Sequence, residues 1–350
     1  MSTRPTTRRE LLSLAGRWSR QAQRVSPHGE LRGRMPPAAE LVNLLEFDEA
    51  AGIALAAAVH AVISGSDREP FDYMTLWPRV LIDSAPLNLT TELFGEKMFA
   101  PIIVGPVGNQ KRFHPEGELA TVQGAAAAKA TVVVSADSSI QIEEIAAKAK
   151  TTIWHQAYSG GDSNAVRAQV DRAVKAGCRA VCLTVGTQPV NPSRAAALPR
   201  PNWRAIERIR ESLNVPVLLK GVMTPDDATR AIEAGVNGIV VSNSGASGAR
   251  PAPITVLPTI VDAVGGKVPV LVDGSFRRGS DVIKALAFGA RAVLLARPPI
   301  WGLAAYGASG VELVVKMLQT DLARQMIIVG RPMIQNIDRA LVTIHRRASS

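Results

Sequence analysis

Two short stretches carry the residue types that bind an anion. Asp273-Gly274-Ser275-Phe276-Arg277-Arg278-Gly279 follows one apolar run, and Ala296-Arg297-Pro298 follows the next. Small residues let backbone N–H groups approach an anion, and a guanidinium fork matches phosphate oxygens. Either stretch alone is a weak signal, since a turn with solvated arginines has the same composition. As a pair at consecutive strand ends they point to phosphate. Lys220 closes a third apolar run, Leu218-Leu219-Lys220. An ammonium there either projects into a polar mouth or bears the cost of burial. Gln156, Tyr158 and Thr184 end two more runs with hydrogen-bonding groups, each of them common in isolation.

These residues need a frame that gathers strand ends. From Pro101 onward, apolar runs at 102–104, 131–134, 152–154, 180–184, 217–220, 238–242, 270–273 and 292–295 alternate with amphipathic helical windows. The runs are too continuously apolar to have a wet face, as expected of parallel strands covered on both sides. A weak repeat recurs at Ala176-Gly177, Ala234-Gly235 and Phe288-Gly289, where a helix ends on glycine and a strand begins three residues later. The pattern predicts an α/β fold, a single (β/α)8 TIM barrel with an N-terminal helical segment over 38–66. In such barrels the ligand site lies at the C-terminal strand ends, with phosphate after the seventh and eighth strands. No Gly-x-Gly-x-x-Gly follows the first strand, which disfavours a dinucleotide fold. Residues 67–96 read as irregular, with short strands around Val80-Leu81 and Leu87-Leu89. The barrel domain is placed at 38–345, behind a basic arm at 1–37.

The bulk numbers exclude other classes. The chain has 350 residues, 47% of them hydrophobic, and a net charge of +10. Much of that excess sits in the arm, in Arg4, Arg8, Arg9, Arg17, Arg20, Arg24, Arg32 and Arg34. With 4% aromatics and no basic stripe, nucleic acid is not an expected partner. No apolar run is long enough to span a bilayer. Cys178 and Cys182 read as buried thiols, and no metal-ligand cluster accompanies them. Thr7-Arg8-Arg9-Glu10-Leu11-Leu12 resembles a twin-arginine signal, but Arg17 interrupts its apolar region. The expected location is cytoplasmic, with export as the other reading.

As a set, the motifs resemble the FMN-dependent α-hydroxy-acid oxidases and dehydrogenases, the family of glycolate and lactate oxidases. The match runs from about residue 41 to residue 340. It includes Pro101 to Pro106, Gln110-Lys111, His114-Pro115-Glu116-Gly117-Glu118, Gln156-Ala157-Tyr158, Lys220-Gly221-Val222, Ser242-Asn243, Asp273-Gly274 with Arg277-Arg278-Gly279, and Arg297-Pro298. The resemblance implies FMN as cofactor, a small-molecule substrate and a homo-oligomer, a tetramer in many relatives. It places Pro106, Val107, Gly108, Ser135, Gln156, Tyr158, Thr184, Lys220, Ser242, Asp273, Gly274, Arg277, Ala296 and Arg297 around the cofactor. Lys220 would meet the flavin N1/C2=O edge, where negative charge accumulates on reduction. His114 is expected to open the first barrel helix and to be structural.

The chain departs from the family where substrate is handled. The family reads Ser-Asn-His-Gly-x-Arg-Gln after the sixth strand; here the stretch is Ser242-Asn243-Ser244-Gly245-Ala246-Ser247-Gly248. Ser244 replaces the base, Ser247 replaces a carboxylate-binding arginine, and Gly186 stands where an aspartate supports the histidine. A serine hydroxyl is no substitute for imidazole near neutral pH. Arg194 is the remaining match to a second carboxylate-binding arginine. Asp137 is a new carboxylate after the second strand, either a replacement base or the N-cap of the next helix. His60 is another base candidate. The residues assigned to catalysis are therefore Lys220, Asp137 and Arg194. Three readings remain: an oxidoreductase with a repurposed substrate site, an FMN-binding module without turnover, or a barrel binding another phosphorylated ligand.

Overall fold

The computed structural model describes residues 34–65, 68–160, 162–185, 202–245 and 251–345. Three short strands precede the barrel: β1 (Met74–Leu76), β2 (Thr91–Leu93) and β3 (Glu96–Met98). Eight parallel strands then close on themselves: β4 (Ile102–Val104), β5 (Val132–Ser135), β6 (Ile153–Tyr158), β7 (Val181–Thr184), β8 (Val217–Val222), β9 (Gly238–Val241), β10 (Val270–Asp273) and β11 (Ala292–Leu295). The seam is β11 against β4, with Leu295 opposite Val104. All eight runs expected from the sequence are strands of this barrel. The last strand, β12 (Val342–Ile344), pairs antiparallel with β1 and ties the two ends of the domain together.

Strand alternation fills the barrel. Ile103, Val133, Trp154, Cys182, Leu218, Val240, Leu271 and Leu294 form one buried cluster with Leu93 and Met98 of the β2–β3 hairpin. That hairpin plugs the N-terminal end, where Phe94 packs at 5.8 Å on Trp154. The plug leaves the C-terminal end as the open mouth.

Outside the regular barrel the sequence expectations fare less well. The helical segment expected over 38–66 divides into Leu44–Ala54 and Ala57–His60, because Leu55 and Ala56 take extended backbone. Asn43 caps the first of these helices, accepting from the N–H groups of Leu45 and Glu46. No strand forms at Val80-Leu81: Leu81 is left-handed (φ 58) and fully exposed. Nor is there one at 87–89, where Asn88 makes only an isolated bridge to Met333.

One buried residue is out of keeping with its surroundings. Between inward Trp154 and Gln156, alternation turns His155 into the strand–helix layer, where it is 3% exposed. Neither ring nitrogen has a hydrogen-bond partner among the described residues. Burial, followed by Arg172 on the helix Ser163–Lys175, pushes its pKa down to about 4. The unfolded chain takes up this proton below about pH 6.5, while the folded chain does not until about 4. Stability is therefore full above pH 6.5 and falls as the pH drops toward 4, by about 3 kcal/mol in total. His155→Phe should remove that slope and raise stability at neutral pH. Urea unfolding at pH 7.5 and 4.5 checks this, and equal pH dependence in the two proteins would contradict it.

Candidate active site

The alternation that fills the barrel with apolar side chains runs one step further and turns polar. Two residues beyond Val133, Trp154, Cys182, Leu218, Val240 and Leu271 stand Ser135, Gln156, Thr184, Lys220, Ser242 and Asp273. Side chains two apart on a strand share a face, so these groups ring the inner wall of the mouth.

Hydrogen bonds join them into two networks. Ser135 Oγ donates to Gln156 Oε1 at 3.0 Å, and Gln156 Nε2 donates to Thr184 Oγ1 at 3.0 Å. Opposite, Lys220 Nζ donates to Ser242 Oγ at 2.9 Å and lies 3.0 Å from Asp273 Oδ2. Ser242 Oγ donates to the same carboxylate oxygen at 2.6 Å and accepts from the N–H of Ser244 at 3.1 Å. Lys220 is thus buried in the mouth and paired, as its place at a strand end suggested. Gly221 (φ 113) makes the bulge that follows it, pressed against the carbonyl of Val185 where no side chain fits.

The arginine stretches converge beside this second network. Arg277 is 5% exposed, with its guanidinium carbon 4.5 Å from the Trp301 ring centroid. Nη1 donates to the carbonyl of Phe276 at 2.9 Å, while Nε is buried with no partner among the described residues. Burial first, then the charges of Arg297 and Arg68, push its pKa down to about 9. Arg297 begins the helical run Arg297–Ile328 and donates to the carbonyl of Gly65 at 2.9 Å. A Cβ on Gly245 (φ 79) would lie 3.2 Å from Arg297 Nη2, so this glycine gives the guanidinium its room. Asp281 organises the turn, accepting at 2.9 Å from the N–H groups of both Arg277 and Arg278. Arg68 pairs with the same carboxylate at 2.5 Å. Asp281, Arg68 and Trp301 are not among the residues singled out from sequence. Asp281 gives no sequence signal, because an arginine at the cap position breaks the Ser/Thr-x-x-Glu/Gln pattern that announces a capping box.

On the other side, Pro106, Val107 and Gly108 follow β4, half-buried, with the Val107 carbonyl held by Gln110 Nε2 at 3.0 Å. Asp137 is not a helix cap: the next helix, Ile142–Lys148, begins after Gln141. Asp137 stays with the mouth. Its N–H donates to Ser135 Oγ at 3.2 Å, its carbonyl accepts from Asn109 at 2.8 Å, and its carboxylate lies near enough to Tyr158 for its charge to act on that phenol. Burial and that carboxylate push the Tyr158 pKa up to about 12, so the phenol keeps its proton. His60 is held by Asp48 at 2.7 Å within the N-terminal helices. His114 accepts from the N–H of Glu116 ahead of the helix Gly117–Ala127, the helix-opening place expected for it. Arg194, Gly186 and Ser247 lie outside the described residues.

The chain matches the family model of FMN-dependent dehydrogenases over residues 56–198 and 187–344. It is 36% identical to a peroxisomal (S)-2-hydroxyacid oxidase of Arabidopsis thaliana, over 86% of this chain and 96% of that one. It is also 36% identical to an L-lactate oxidase of a Nostoc species, over 86% and 98%. Among solved structures, mandelate oxidase superimposes with a TM-score of 0.81 at 33% identity, covering 88% of this chain and all of the other.

The geometry fits a flavin mononucleotide. A buried guanidinium whose Nε has no partner among the described residues, a second arginine at a helix start and glycines at 245 and 274 could hold a doubly charged phosphate. The polar ring from Ser135 to Asp273 offers donors and acceptors to the edge of a flat heterocycle. Arg277 is then a costly residue for the cofactor-free protein. Arg277→Leu should raise the melting temperature of the cofactor-free chain and weaken FMN binding by ~10- to 100-fold, the worth of a charged hydrogen bond. Calorimetry and FMN titration of both proteins check this; a less stable variant with undiminished FMN affinity would contradict it.

Proposed function

The chain belongs to the FMN-dependent dehydrogenase family, and we propose that its mouth oxidises a substrate other than a simple 2-hydroxy acid. It is an FMN-dependent oxidoreductase, and the flavin, when bound, supplies the two-electron acceptor. Arg277 and Arg297 would hold the phosphate, with the backbone at Gly274 and Ala296 close to it. Ser135, Gln156 and Thr184 would hydrogen-bond the ring system, and Pro106, Val107 and Gly108 would border it. Lys220, steadied by Ser242 and Asp273, would place its positive charge at the ring edge.

On the substrate side the deciding residue is Ser244. It has left-handed backbone (φ 53), is exposed, and is tied through its N–H to Ser242. It puts a hydroxyl where the resemblance calls for an imidazole base. Ser247 adds no charge and Gly186 no carboxylate, so Arg194 is left to serve as half of an anion clamp. Asp137, half-buried at the rim, is the acceptor group we assign to the substrate. The alternative reading, an FMN-binding module without turnover, shares these losses and differs in the fate of the flavin when substrate is supplied.

Two measurements address this reading. L-lactate, glycolate and L-mandelate should leave the flavin oxidised under anaerobic conditions, since loss of acid–base catalysis alone slows the step ~100- to 10,000-fold. Full bleaching by millimolar L-lactate within seconds would overturn it. Lys220→Met should lower the flavin reduction potential, because the charge that favours the reduced anion is lost. An unchanged potential with FMN still bound would move Lys220 away from the ring edge.

A further inference from the structure

We propose that the substrate carries a cationic amine, recognised by the carboxylate of Asp137 together with the hydroxyl of Tyr158. The proposal rests on the mouth being a repurposed oxidoreductase site and supplies its substrate class.

The first support is position. Asp137 lies two residues beyond Ser135, at the rim just past the end of β5, and Tyr158 is the last residue of β6. Both are half-buried, inside the mouth rather than out in solvent.

The second is rigidity. The Asp137 backbone is held at both ends, by its N–H to Ser135 Oγ at 3.2 Å and by its carbonyl from Asn109 at 2.8 Å. Its Cβ packs on Gly108, where an added Cβ would come within 2.7 Å. A carboxylate on so fixed a support is preorganised for a ligand, which lowers the ordering cost of binding.

The third is charge. Two other buried or half-buried acids of the upper rim have cations: Asp273 pairs with Lys220 and Asp281 with Arg68. Among the described residues, Asp137 has no basic side chain within ion-pair distance. Its neighbour Tyr158 is a phenol whose pKa is pushed up to about 12, so it stays protonated and brings no neutralising charge. A half-sheltered carboxylate of this kind is best satisfied by a charged donor. An ammonium brings both the donors and the charge, whereas a ligand carboxylate meets a like charge.

The test uses the FMN-loaded protein and three probes of equal ring area: benzylamine, benzoate and benzyl alcohol. Flavin difference spectra at pH 7.5 report binding without turnover. Benzylamine should bind saturably and at least ~10-fold more tightly than benzoate, the factor expected for one charged hydrogen bond. Asp137→Asn should weaken benzylamine at least ~10-fold while benzyl alcohol changes little, and Tyr158→Phe should weaken it by less. Tighter binding of benzoate, absence of benzylamine binding, or an amine affinity indifferent to Asp137→Asn would each overturn the proposal. The comparison of probes on the unaltered protein stands even if a variant fails to fold. Reduction of the flavin by L-lactate would sink the parent reading instead and is scored separately.

Discussion

A guanidinium buried against Trp301, its Nε without a partner among the described residues, is the constraint around which the upper rim is arranged. Isolated charge in a protein interior is expensive, and few sequences retain it without a counter-charge. Here the surrounding structure holds Arg277 in place. Asp281 fixes its backbone, Arg68 braces Asp281, and the Phe276 carbonyl takes one of its donors. The Asp281 oxygens serve two backbone N–H groups and Arg68 and make no hydrogen bond to the Arg277 side chain among the described residues. We propose that the cluster receives an anion from outside the chain, and the phosphate of FMN has the charge and the oxygens to match.

The rest of the site is a consequence of strand periodicity. A closed parallel barrel has one layer of side chains after another along its interior, each contributed two residues further along the strands. In this chain the interior layer is apolar and the layer above it polar, so Lys220, Ser242 and Asp273 meet because their strands are neighbours in register. Lys220 faces Val240 across β8 and β9, and Asp273 follows Val272, itself opposite Val241. Their ion pair needs no long-range coincidence once the barrel closes.

That regularity explains what is legible in the sequence. The eight strands and the phosphate-type strand ends are readable because fully covered parallel strands show as continuous apolar runs, and glycines mark the helix ends between them. The segment before the barrel misleads because its apolar residues do not report burial. Val80 and Leu81 look like strand residues, yet they are exposed in an irregular loop, with Leu81 in a left-handed turn. Asp137 is ambiguous for a different reason. An acid followed by two serines is a reasonable helix cap, and only the start of the helix at Ile142 assigns it to the mouth. The Arg68–Asp281 brace joins residues 213 apart, a separation at which no local pattern operates. His155 gives no sequence signal at all, since a histidine within a strand reads equally well facing in or out.

A phosphate seated on Arg277 and Arg297 is the central requirement of the site as we propose it. Equilibrium titration of the cofactor-free protein with FMN and with riboflavin isolates that contribution, because the two ligands share the ring system and the ribityl chain. Two charged contacts at ~1.5–3 kcal/mol each predict that FMN binds at least ~100-fold more tightly than riboflavin, with the gap narrowing as salt is raised. Equal affinities at low salt would mean that the arginine pair does not hold the phosphate.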